Sequence, residues 1–262
     1  LALLTSCNKS DDNGDEGGGS GPSPMERRYT ALGASDAVGV GASVPCLPFT
    51  DWPSGTGYRP RILAHLREAE PAWQLTNMGL PGAVMSREVQ DIGNGVGIGI
   101  NNNFLQHEAP FVPPSTTLVT IFAGANDANT LATALDRGAA QGADPNGWID
   151  QHVATFAEDY RELIGIVRGR APSARVIVLN LPNFAGLPFG ASRSTRARRW
   201  LQRLSVGFGK AANSLVALDV TVVDLLSNPR SYQSSTYSSD GFHPNDTGYR
   251  YLAEETIRAI DS

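Results

Sequence analysis

Downstream of residue 25 the chain alternates between two hydrophobic patterns. Short apolar runs, several of them β-branched, read as buried strands, and longer stretches with apolar residues three or four positions apart read as helices. The first run, starting at Tyr29, ends in the glycine turn Gly33-Ala34-Ser35-Asp36. Tyr58 to Ala69 predicts a helix, and Trp73 to Asn77 a second strand running into Met78-Gly79-Leu80-Pro81-Gly82. Thr117 to Ala123 predicts a third strand, which ends at Gly124-Ala125-Asn126-Asp127. Ile149, Val153, Phe156, Tyr160, Leu163, Ile164 and Val167 keep helical spacing and predict a helix from Trp148 to Arg168. A fourth strand over Arg175 to Leu181, a helix over Thr195 to Ser214, a fifth strand region over Val216 to Val223 and a closing helix over Asp246 to Ile260 complete the series.

Strand then helix, repeated, predicts an α/β protein: a three-layer α/β/α sandwich, flavodoxin-like, with a central five-stranded parallel sheet. Two long irregular stretches interrupt it, Ile92 to Pro114 and Asn183 to Ser194. Loops of that length in a compact domain are often functional, and both are expected to border a substrate cleft. Open sheets of this class place ligands beyond the carboxyl ends of their strands, which is where Ser35 falls.

Composition narrows the possibilities. The chain has 262 residues, 41% of them hydrophobic and 18% charged. That suits one domain with a sizeable core, assigned to residues 25–262. The net charge is -5, of which Lys9, Asp11, Asp12, Asp15 and Glu16 contribute -3. No nucleic-acid footprint follows from such a balance. Arg193, Arg196, Arg198, Arg199 and Arg203 form one basic cluster, read as a solvated helix face or as a local anion-attracting patch. Residues 1–7, LALLTSC, read as the end of a lipoprotein-type signal segment in which Cys7 carries the lipid. Residues 8–24 are polar and glycine-rich, a flexible linker. An extracytoplasmic bacterial protein, held at a membrane through Cys7 or secreted, is the expectation. No apolar run is long enough to span a bilayer.

A serine hydroxyl becomes a nucleophile only with a base to take its proton and a group to orient that base. Asp240-Gly241-Phe242-His243-Pro244-Asn245 supplies both types, the carboxylate three residues ahead of the histidine. Attack on an ester carbonyl also creates an oxyanion that needs fixed donors. The backbone N–H of Gly79 and the side chain of Asn126, both beyond predicted strand ends, are candidates. His65, His107 and His152 read as surface or structural, with His107 able to edge the cleft, and Asp127 reads as a loop tie. Gly-x-Ser-x-Gly, dinucleotide, phosphate-loop and His-Glu-x-x-His motifs are missing, so the chemistry is expected to need no cofactor and no metal.

Together the segments ALGASD around Ser35, NMGLPG around Gly79, GAND around Asn126 and DGFHPN around His243 resemble the SGNH hydrolase superfamily, the GDSL-type esterases and lipases. The four name-giving residues occur in order, with Ala34 where the GDSL motif has aspartate. The resemblance implies that Ser35 is the nucleophile, His243 the base and Asp240 its orienting carboxylate. It further implies an oxyanion hole of the Ser35 N–H, the Gly79 N–H and the Asn126 side chain. Ile98, Ile100, Phe104, Leu105, Phe111, Phe184, Leu187 and Phe189 are candidates for an acyl pocket suited to lipid or aryl esters. Two other readings stay open: a carbohydrate acetyl esterase of the same fold, and a non-catalytic surface module that binds glycan or a partner.

Overall fold

The computed structural model describes residues 27–48, 50, 53–140 and 144–262. The signal-like segment 1–7 with Cys7 and the linker 8–24 lie outside the described residues.

Five strands form the centre: β1 (Arg28–Gly33), β2 (Gln74–Asn77), β3 (Thr116–Phe122), β4 (Arg175–Leu179) and β5 (Thr221–Val223). They run parallel in the order β2-β1-β3-β4-β5. The middle strands are apolar on both faces because helices cover both. In β3 every residue but Thr117 is buried. Strand order reverses between β1 and β3, where Gly33 lies opposite Phe122. Connections leave those two strands in opposite directions, so a crevice opens at their carboxyl ends. Ser35 follows one of these ends and Asn126 the other.

The helices are α1 (Tyr58–Ala69), α2 (Arg87–Gly95), α3 (Phe104–His107), α4 (Ala125–Asp136), α5 (Pro145–Arg170), α6 (Pro188–Ala191), α7 (Thr195–Asn213) and α8 (Asp246–Asp261). α1 packs against α8, while α4 and α5 both pack against α7. α5 starts with Pro145 at its first position and Asp144 as its cap, whose carboxylate accepts from the Asn146 and Gly147 N–H groups. It buries Ile149, Phe156, Tyr160, Leu163, Ile164 and Val167 along one stripe.

The structure departs from the sequence reading in three places. The fifth strand is only Thr221–Val223, because Ser214–Leu218 is a 3-10 turn and Asp219 turns left-handed (φ 55). α2 and α4 went unread. α2 is short and carries Gly93 and Gly95, poor helix formers, and α4 buries residues all round and shows no clean polar face. Nor are the two long stretches structureless: Ile92 to Pro114 holds the end of α2, α3 and a 3-10 turn, and Asn183 to Ser194 holds a 3-10 turn and α6. These pieces are too short to show a period and are fixed by local caps, Asn103 on α3 and Asn183 on its turn.

α5 and α7 are joined by the Phe156 and Phe208 rings, stacked with centroids 4.0 Å apart, and Tyr160 meets Phe156 edge-on at 5.5 Å. Phe208→Ala removes a fully buried ring from this seam. We expect it to lower unfolding free energy by about 3–5 kcal/mol in chemical denaturation.

Candidate active site

β1 delivers Ser35 through a tight turn. Gly33 is required there, since a Cβ at that position would come within 2.4 Å of the Ala37 Cβ. Ala37 N–H donates to Ala34 O (3.1 Å) and Val40 N–H to Ser35 O (2.9 Å), closing the turn. Ser35 itself is largely buried, and its Oγ lies 2.8 Å from His243 Nε2.

The Asp-x-x-His segment folds on its own carboxylate. Asp240 Oδ1 accepts from Ser238 Oγ (2.8 Å), Phe242 N–H (2.8 Å) and His243 N–H (2.9 Å). Its Oδ2 is left for His243 Nδ1, at 2.5 Å. Burial opposes ionisation of Asp240, but the bonds from the His243 ring and the two backbone N–H groups hold its carboxyl well below the usual range. An ionised Asp240 puts the ring proton on Nδ1, so Nε2 is the acceptor for the Ser35 hydroxyl.

Ser35 and His243 come from opposite ends of the chain, and a second set of contacts holds their loops together. Asp246, the first residue of α8, accepts from Ser43 N–H (2.8 Å), Ser43 Oγ (2.6 Å) and Thr56 Oγ1 (2.7 Å). Tyr249 Oη donates to Val40 O at 2.6 Å. Gly41, at φ 92, sits so close that a Cβ there would meet Pro244 O at 2.5 Å and His243 Cβ at 3.1 Å.

Asn126 stands in the first turn of α4, whose N-terminus favours negative charge. One hydrogen of its amide goes to Ala83 O (2.9 Å), leaving the other. Asp127 is fully buried and accepts from Met85 N–H at 2.7 Å, tying down the segment that follows β2. Gly79 departs from its expected role. Its N–H donates to Asn77 Oδ1 at 2.8 Å within the same loop, so it is not offered to a ligand. Gly82 lies in the cleft wall instead, at φ 80, and among the described residues its N–H has no acceptor. The signal for it was the Pro81-Gly82 dipeptide, a turn marker in the same motif.

Ser35, Gly82, Asn126, Phe189, Asp240 and His243 share an open cleft of ≈ 500 Å³. It continues past Gly82 and Asn126 into a space of ≈ 180 Å³ walled by Ile98, Ile100, Asn101, Asn102 and Asn129. Of the other candidate acyl residues, Phe104 is buried in the core and Phe111 is 62% exposed. Phe184 and Leu187 line a smaller cavity of ≈ 50 Å³ that Ser35 and His243 also border. His107 does not reach the cleft; its Nδ1 accepts from Asn103 N–H at 3.0 Å. His152 is buried, its ring tilted against Trp148 with centroids 3.8 Å apart, and His65 faces Asp261 at the surface.

Beneath the nucleophile turn lies a buried polar group that the sequence did not reveal. Glu108 Oε2 accepts from Gly33 N–H at 3.0 Å, and Glu108 is inaccessible to solvent. Burial drives its carboxyl well above the usual range. Asp36 is pushed up to about 6 by burial, against the pull of its own backbone N–H, Arg59 and His243. Nothing in a lone acid within a loop-like segment marks it as buried.

Burial likewise pushes Asp127 up to about 7 from 3.8, with Asp159 adding to the rise and the Met85 N–H opposing it. An acid whose folded pKa exceeds its unfolded value favours the fold while protonated. Its contribution is full below about pH 4 and is lost as pH rises through about 7. Asp127→Asn keeps the acceptor for Met85 and cannot ionise. We expect it to remove that decline, seen as a smaller fall in stability from pH 4 to pH 8 than in the wild type by denaturant titration.

Residues 31–251 match the model of the GDSL-like lipase/acylhydrolase family. None of the curated proteins compared matches the chain. Among solved structures, an extracellular lipase from Streptomyces rimosus superposes with TM-score 0.59 at 19% identity, over 88% of this chain and 99% of that one. A lipase from a goat rumen metagenome does so at 0.58 and 21%, covering 88% and 96%. A variant of an acetyl xylan esterase from Geobacillus stearothermophilus gives 0.55 and 16%, covering 89% and 94%. At these identities the likeness carries the fold, and the family match carries the assignment: with a five-stranded parallel sheet and the Ser35 cleft at its switch point, the chain belongs to the GDSL-like lipase/acylhydrolase family.

Proposed function

We propose that this protein is a serine esterase that hydrolyses carboxylic esters through an acyl-enzyme on Ser35. The observation that carries this reading is the hydrogen-bond chain Asp240–His243–Ser35, 2.5 Å and 2.8 Å long, opening into a cleft. As Ser35 Oγ attacks the carbonyl carbon, His243 Nε2 takes its proton, and Asp240 stabilises the imidazolium. The oxyanion is met by the Ser35 N–H, the free hydrogen of the Asn126 amide and the Gly82 N–H, which takes the place expected for Gly79. Collapse expels the alcohol, protonated by His243. Water then attacks the acyl-enzyme with His243 again as base, releasing the acid and restoring Ser35 Oγ–H. With Cys7 lipidated, the linker 8–24 tethers this domain outside the cytoplasm at a membrane.

A carbohydrate acetyl esterase is the second reading. It is favoured by the amide-rich extension of the cleft, where Asn101, Asn102 and Asn129 replace the continuous apolar wall that a long acyl chain requires.

The test is hydrolysis of p-nitrophenyl esters from acetate to palmitate, with acetylated xylo-oligosaccharides alongside. Ser35→Ala is expected to lower kcat by about 10⁴-fold or more. Asn126→Ala is expected to lower it by about 10²- to 10³-fold, the loss typical of one oxyanion donor. Activity surviving in Ser35→Ala would sink the nucleophile assignment. A wild type inert towards every ester would point to the non-catalytic binding module.

A further inference from the structure

Arg193, Arg196, Arg198, Arg199 and Arg203 look like one basic cluster in sequence, but the fold divides them. Arg196 faces Asp136 at 3.5 Å and Arg203 grips Asp150 at 2.6 Å, both pairs at the surface. Arg198 gives its Nε hydrogen to Ala185 O at 2.8 Å, and Arg199 is exposed on α7. Arg193, just ahead of α7, turns towards the cleft. Its Nη2 donates to Asn129 Oδ1 at 2.6 Å, and its guanidinium carbon lies 4.6 Å from the centre of the Phe189 ring. Asn129 and Phe189 both line the cleft that holds Ser35 and His243. Among the described residues no carboxylate lies within 4.0 Å of Arg193, in contrast to Arg196 and Arg203.

Two consequences follow from this geometry. The bond from Arg193 occupies one of the two acceptor sites of the Asn129 carbonyl oxygen, and among the described residues the Asn129 –NH₂ has no acceptor. The Phe189 ring lies under the guanidinium carbon and leaves the remaining N–H groups for a partner. Together with the free hydrogen of Asn126, this side of the cleft offers donors and an unneutralised positive charge.

Resting on the reading of the site as a serine esterase, we propose that Asn129 and Arg193 form a subsite for a negatively charged group, a carboxylate or a phosphate, carried by the ester substrate. The anion would sit against the Asn129 amide and the guanidinium edge while the ester carbonyl lies at Ser35. The charge buys selection among esters rather than chemistry, since neither residue touches the reacting atoms.

The test compares kcat/KM for esters matched in size and differing in charge, each corrected for its rate of alkaline hydrolysis. With the anion in the alcohol part, 3-acetoxybenzoate and 3-acetoxyphenyl phosphate are set against neutral 3-acetoxybenzamide, which separates the two anions. With the anion in the acyl part, 4-nitrophenyl hydrogen succinate is set against 4-nitrophenyl pentanoate. The wild type is expected to prefer the charged member of at least one comparison by about tenfold at low salt, as for a charge-assisted hydrogen bond. That ratio should fall towards one in 0.5 M NaCl. Arg193→Gln should abolish it, Arg193→Lys should restore part of it, and Asn129→Asp should abolish it by placing a carboxylate against Arg193. A ratio at or below one in every comparison, a ratio indifferent to salt, or a ratio that survives Arg193→Gln would overturn the subsite and leave the esterase intact. The salt arm decides the matter if Arg193→Gln does not fold. A wild type that cleaves no ester of either charge would instead remove the esterase reading and the subsite with it.

Discussion

One hydrogen bond joins residues 208 positions apart, Ser35 to His243, and the rest of the structure is arranged so that it can form. Bringing two such distant segments within 2.8 Å costs loop-closure entropy that a single bond near the surface cannot offset. The compensation comes from around it. α1 packs on α8, Tyr58 stacks with Tyr249, Tyr249 reaches Val40 O, and Asp246 collects three donors from the loop after Ser35. The Asp246 carboxyl is lowered from its ordinary value because those donors from Ser43 and Thr56 outweigh its partial burial. Nucleophile and base are thus docked by a broad interface, and the hydrogen bond between them is its readout.

The opposite side of the nucleophile turn is held differently. Glu108 fixes Gly33 from below, and the positive charge of Arg59, with only 1% of its surface accessible, opposes the burial-driven rise of both Glu108 and Asp36. Burying acids in this way is costly, and apolar packing of the same volume often does better for stability alone. Here the arrangement links the end of β1 to the segment after α3, which leads into β3. Asn126 and Asp127 do the same from β3, holding Ala83 O and Met85 N–H. The β2 loop is therefore clamped between two strand ends, and Gly82 is fixed relative to Ser35 without a hydrogen bond of its own among the described residues.

These constraints leave a site whose rigid parts come from strand ends and whose variable parts come from the long connections. Ser35 and Asn126 flank the switch point, where a parallel sheet exposes backbone and helix termini that cannot be satisfied internally. The stretches between β2 and β3 and between β4 and α7 then decide what fits: amides from one, Phe189 from the other. Specificity in such a site rests on a few side chains that no strand positions.

Much of this was legible in the chain itself. The strands are short, apolar and β-branched because they are buried on both faces, and the closing turn is local, since Asp240 and His243 are three residues apart and share one carboxylate. Serine, asparagine and the Asp-x-x-His pair are spaced by those elements, so their convergence followed from the order of strands. Contacts across the chain were not legible. Whether Gly79 or Gly82 keeps a spare N–H depends on where Asn77 points. Whether an arginine in a run of five is paired with a carboxylate depends on which helix faces it. α2 is short and carries two glycines, and α4 lacked a period because neighbours bury it on several sides. Sequence determined what is set by covalent neighbours and periodicity, and the tertiary structure alone decided which donors and charges remain unspent, because each is spent on a residue that only folding brings near.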